Sequence, residues 1–85
     1  MPTVLKIKDY RFFFFSREEV RMHIHVICPD GEAKLWLEPT IEIATSYKLS
    51  NIRLREIETM TKENIETFKN AWEAHLGNWN HQYFH

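Results

Sequence analysis

The chain has 85 residues, 44% of them hydrophobic, with six Phe, three Trp and three Tyr, and a formal net charge of −1. That length allows one core and not two, and the near-zero charge argues against a general polyanion binder, since proteins that grip DNA through its phosphates carry a basic excess. A single cysteine, Cys28, excludes an internal disulfide and with it the chemistry of a secreted disulfide scaffold.

Thr3 to Ile7 alternates apolar and polar residues and Tyr10 to Phe15 is dominated by aromatics, so Lys8-Asp9 reads as the turn of a first hairpin. Four consecutive phenylalanines, Phe12 to Phe15, imply a central strand buried on both faces. Ser16 to Arg21 is charged and reads as a connection. Then comes Met-His-Ile-His-Val. His23 and His25 stand two apart in an apolar strand pattern, which sends both imidazoles to one face. Pro29-Asp30-Gly31-Glu32 predicts a tight turn, with Asp-Gly suited to the positive φ of a two-residue loop. Centred on Asp30-Gly31, the turn pairs Cys28 with Ala33, Val26 with Leu35 and Ile24 with Leu37 on an apolar side. The other side then pairs Ile27 with Lys34, His25 with Trp36 and His23 with Glu38.

Pro39 ends that strand, and Thr40 to Ala44 reads as a short fifth one. Ser50 is suited to a helix N-cap, and from there Leu54, Ile57, Thr61, Ile65, Phe68, Trp72 and Leu76 fall three or four apart. Thr61 stands on this stripe as a candidate cap of a second helix, which leaves one helix or two open. Gly77 predicts a C-terminal stop. The expected class is α+β: a small antiparallel sheet of four to five strands, in two hairpins, packed on one long C-terminal helix or a helical pair. A single domain over 1–77 would carry a short tail, 78–85. The N-terminus has no signal-peptide core and no apolar run approaches membrane-spanning length, so a cytoplasmic protein away from membranes is expected.

The opening Met-Pro-Thr-Val, the segment Tyr-Arg-Phe-Phe-Phe-Phe-Ser, His-x-His-Val, Glu-Ala-Lys-Leu-Trp-Leu-Glu-Pro and the late Trp72 follow in this order. Together they resemble a family of very small bacterial and archaeal proteins classed as a domain of unknown function, over roughly residues 1 to 76. The resemblance implies a partner, because members are often encoded beside another small protein in an arrangement like that of toxin–antitoxin loci. Many relatives carry prolines just before the first histidine, where this chain has Arg21-Met22, which implies a looser approach to the histidines here. The tail beyond Gly77 looks like an extension of this chain.

Three chemistries are open to the histidine face. A zinc site needs three or four protein ligands. Glu38, Cys28, His75, His81 and His85 are the candidates beyond His23 and His25; Cys28 faces away, and the His-x-His spacing alone is a weak signal, so no metal and no cofactor is expected. A metal-independent ribonuclease would use His23 and His25 as acid and base, with Lys34, Arg17 or Arg21 supporting the phosphorane and Trp36 stacking a base. A binding face would join Arg17, Arg21, Lys34, Trp36 and Glu38 to the histidines and Ile27, with Trp and Arg as anchors. The reading adopted is the last: one component of a toxin–antitoxin-like pair that binds a small cognate protein from a neighbouring gene. RNA and a second copy of the chain stay open as partners, ribonuclease action is the alternative, and whether the chain is an enzyme is left open. A DNA-reading module is disfavoured by the charge and by the lack of a helix-turn-helix pattern. Against these stand plainer readings. Trp36 is covered from within, Cys28 is a small buried hydrophobe, and the Glu-rich helix face with Arg53, Arg55 and Lys69 is merely solvated.

Overall fold

A computed structural model describes the backbone of residues 3–14 and 21–84 and the side chains up to Ala74. Five strands come first: β1 (Thr3–Ile7), β2 (Tyr10–Phe13), β3 (His23–Ile27), β4 (Glu32–Trp36) and β5 (Glu42–Tyr47). Two helices follow, α1 (Asn51–Glu63) and α2 (Ile65–Phe84). The strands form one open antiparallel sheet in chain order, β1-β2-β3-β4-β5. The class is α+β. No helix among the described residues is long and apolar enough to cross a membrane.

The first hairpin turns through Lys8-Asp9, with Ile7 paired to Tyr10 and Lys8 in the left-handed region at φ 54°. The second hairpin differs from expectation by two residues. Val26 pairs with Ala33, Ile24 with Leu35, His25 with Lys34 and His23 with Trp36. The closing pair is Ile27 with Glu32, which puts Cys28 to Gly31 in the loop, and the Cys28 amide donates to the Gly31 carbonyl at 3.0 Å. Pro29 explains the difference. A tight Asp30-Gly31 loop would set Pro29 in the ladder, where it has no N–H to donate, whereas its fixed φ suits a turn corner. Gly31 accordingly has no positive φ. Because the shift is by two, every side chain keeps its face and only its partners change. The fifth strand starts later than expected, and it pairs with β4 through an irregularity at Lys34/Leu35 that leaves Ala44 unpaired.

Ser50 caps α1, its hydroxyl oxygen accepting from the Arg53 amide at 3.2 Å. Two helices form, but the break is at Asn64 and not at Thr61. The Asn64 amide and side-chain Nδ2 both donate to the Met60 carbonyl, at 3.1 and 2.8 Å, and its own carbonyl accepts from Phe68. Thr61 is fully buried, its hydroxyl donating to the Ile57 carbonyl at 2.7 Å. Gly77 does not stop α2, which continues to Phe84. A single glycine costs an interior helix only about 1 kcal/mol, and no proline follows it here.

One apolar cluster draws on the sheet and on both helices: Tyr10, Phe12, Ile24, Val26, Leu35 and Leu37 join Ile57, Met60, Phe68 and Trp72. Phe12 meets Phe68 at 5.1 Å between ring centroids, and Phe14 meets Trp72 edge-on at 5.3 Å. Phe12, Phe13 and Phe14 are all buried, in line with a strand covered on both faces; Phe15 lies outside the described residues.

Arg53 is not merely solvated. It donates to both oxygens of Asp9 at 3.1 and 3.2 Å and to Asp30 at 2.9 Å, which fastens both hairpin turns to the start of α1. Its guanidinium lies 5.2 Å from the centre of the Tyr10 ring, and the Tyr10 hydroxyl donates to Glu56 at 2.6 Å. Hydrogen bonding from Arg53 holds the Asp9 carboxyl below its usual range, whereas burial, aided by the bond to Glu56, pushes the Tyr10 phenol up. A carboxylate with a lowered folded-state pKa contributes stability above its unfolded value, about 3.9, and loses it as pH falls through the lower folded value. Urea denaturation across the acid range should therefore show a midpoint that drops with pH, and Asp9→Asn should flatten that drop. An unchanged slope in Asp9→Asn would rule the clamp out as the source.

Candidate functional site

Directly paired residues on antiparallel strands project to the same side of a sheet. The register therefore lays Phe13, His25, Lys34 and Thr45 in one row across β2, β3, β4 and β5. A second row beside it holds Arg11, Ile27, Glu32 and Tyr47, and a third holds His23, Trp36 and Glu42. These rows form the face opposite the one carrying Phe12, Val26 and Ala33. It is an aromatic and cationic surface. Arg11 lies over Phe13 at 5.3 Å, Arg21 over Trp36 at 4.2 Å and Lys34 over Trp36 at 4.5 Å.

The two histidines share this face, with ring centroids 5.4 Å apart, but their surroundings differ. His23 is fully buried. Trp72 from α2 reaches it at 5.0 Å and Trp36 at 5.9 Å, both edge-on. Its Nδ1 lies 2.6 Å from the Arg21 carbonyl oxygen, and since a carbonyl only accepts, Nδ1 carries the hydrogen. His25 is half-buried and stacks on Phe13 at 5.7 Å. A general acid or base must touch its substrate, which His25 can do from the surface and a sealed His23 cannot.

The remaining candidates are placed as follows. Trp36 is half-buried beside His23, not beside His25, because of the two-residue shift in register. Glu38 does not face His23; its carboxylate accepts from the Met22 amide at 3.2 Å and its carbonyl from Arg21 Nε at 3.0 Å. Arg21 also approaches Glu42 at 4.0 Å. These bonds tie the entry to β3 to the exit of β4. Arg17 lies outside the described residues, as do the side chains of His75, His81 and His85. Among the described residues no group of three or more His, Cys, Asp or Glu is placed to hold a metal ion. Cys28 is buried.

A groove of about 310 Å³ opens on this face, lined by Phe13, His25, Glu32, Lys34, Thr45 and Tyr47 among others. Sequence reasoning missed Phe13, Thr45 and Tyr47 as groove residues. Phe13 hid inside the phenylalanine run. Thr45 and Tyr47 follow period-two alternation in β5, a signal lost when that strand is ended at Ala44. A family model described as "Domain of unknown function (DUF4160)" matches residues 9–73. The chain belongs to the DUF4160 family. The DUF4160 match takes in all three rows of the face as well as Trp72, which seals His23. No curated protein and no solved structure matches the chain.

Proposed function

We propose that this DUF4160 chain is one component of a toxin–antitoxin-like pair in the cytoplasm, and that it acts by docking a small partner protein on the outer sheet face around Trp36. The observation that carries this reading is the pair of cations at 4.2 and 4.5 Å from the Trp36 ring. An indole with an arginine and a lysine over its ring has the composition of an interface anchor, and the two positive groups suit an acidic partner surface. The same cations occupy the π-surface that a stacked RNA base would need, so a protein is favoured over RNA at this residue. Ribonuclease action by His23 and His25 has their ring contact in its favour, but the burial of His23 weighs against it.

Co-expression with the product of the neighbouring gene, followed by size-exclusion chromatography with light scattering, tests the reading. A stable hetero-complex is expected, weakened about 30-fold or more by Trp36→Ala and by Lys34→Glu at constant fold. A chain that stays alone, or a complex indifferent to both substitutions, would refute it. RNA cleavage abolished by His25→Ala would favour the ribonuclease instead.

A further inference from the structure

We propose that the groove lined by His25, Lys34, Thr45 and Tyr47 is a nucleotide-binding site, with the phosphate held by Lys34, His25 and Thr45 and the base stacked on Tyr47. His25, Lys34 and Thr45 come from three successive strands and lie in one row, so an imidazole, an ammonium and a hydroxyl converge on one line of the surface. All three can donate hydrogen bonds, and the ammonium adds full charge, which is the chemistry that recognises a phosphate oxygen. At about 310 Å³ the groove lies at the small end of ligand pockets, suited to one nucleotide.

Tyr47 supplies what a bare anion site lacks. It is 60% exposed, and Lys48 Nζ lies over its ring at 5.3 Å, bringing a second ammonium to the groove's edge. Trp36 has two cations closer to its ring and is half-buried, whereas Tyr47 offers most of its surface to a base. Glu32 pairs directly with Tyr47 and also lines the groove. Its carboxylate would accept from the exocyclic amine of a stacked cytosine, which makes cytidine monophosphate the natural first probe. The shared chemistry is a nucleotide phosphate, supplied either free or within single-stranded RNA.

The test is an amide-resolved NMR titration with cytidine monophosphate, inorganic phosphate and a single-stranded oligocytidylate. Shifts at Lys34, Thr45 and Tyr47 are expected with the nucleotide. Tyr47→Ala should weaken cytidine monophosphate about tenfold while leaving phosphate binding nearly unchanged, and Thr45→Val should weaken both. Tighter, salt-dependent binding of the oligonucleotide would identify RNA as the source, and equal binding a free nucleotide; either supports the site. No shifts at these residues with any probe would overturn it, as would phosphate binding as well as the nucleotide with Tyr47→Ala inert. Formation of the partner complex is read in parallel, so failure of this site leaves the partner reading standing.

Discussion

His23→Ala is expected to lower the unfolding free energy by about 3 kcal/mol, whereas His25→Ala should cost about 1 kcal/mol or less. The two residues look equivalent in Met-His-Ile-His-Val. In the fold they are not. His23 is fully buried, with the rings of Trp72 and Trp36 against it and its Nδ1–H bonded to the Arg21 carbonyl. Truncation opens a ring-sized cavity beneath α2 and strips the Arg21 carbonyl of a donor, so the packing and hydrogen-bond losses add. His25 keeps contact with solvent, so its truncation removes ring contacts with Phe13 and His23 but opens no sealed cavity. Urea denaturation of both variants, followed by tryptophan fluorescence, separates the roles. Equal, small effects would mean that His23 is not a packing residue and would restore the pair as candidate acid and base.

Period-two alternation and turn chemistry made the two hairpins legible, and the face of each β3 and β4 side chain with them. The partners were not legible. Asp30-Gly31 carries the strongest tight-turn signal, yet the backbone of Pro29 lacks the N–H that such a loop needs in the ladder, and that covalent fact outweighs the dipeptide preference. The difference moved Trp36 from His25 to His23 and brought Lys34 beside His25, which is what assembles the polar row. In the helical segment the stripe gave the buried positions Ile57, Phe68 and Trp72 correctly. Whether the segment breaks stays open in the sequence, because a threonine on an apolar stripe looks like a candidate cap. A buried threonine can instead satisfy its hydroxyl on the preceding turn, and Asn64 was better fitted to close α1. Arg53 illustrates a limit of another kind. Its partners, Asp9 and Asp30, lie 44 and 23 residues away, so no local pattern could reveal the clamp.

Gly31→Ala is expected to destabilise the fold by about 2–3 kcal/mol, with the damage centred on β5. Conformational freedom is not the reason, since Gly31 has no positive φ. Space is. A Cβ on Gly31 would overlap the Tyr47 carbonyl oxygen and lie 3.1 Å from the carbonyl carbon and oxygen of Lys48. These are backbone atoms, which cannot swing aside as a flexible side chain could. The end of β5 must therefore move away from the second hairpin, straining a junction where Lys48 already sits at φ 57°. Hydrogen exchange should show faster opening of β5 amides with the β1–β2 amides little changed, and Glu32→Ala on the neighbouring exposed position should have no such effect. An alanine tolerated within about 0.5 kcal/mol would mean that the close approach is not maintained in solution. The same approach fixes where Tyr47 stands above the groove, so Gly31→Ala should also weaken cytidine monophosphate binding, although it replaces none of the groove's polar side chains. In that sense the glycine chosen for the turn is also a determinant of the site, through the backbone it allows to come near.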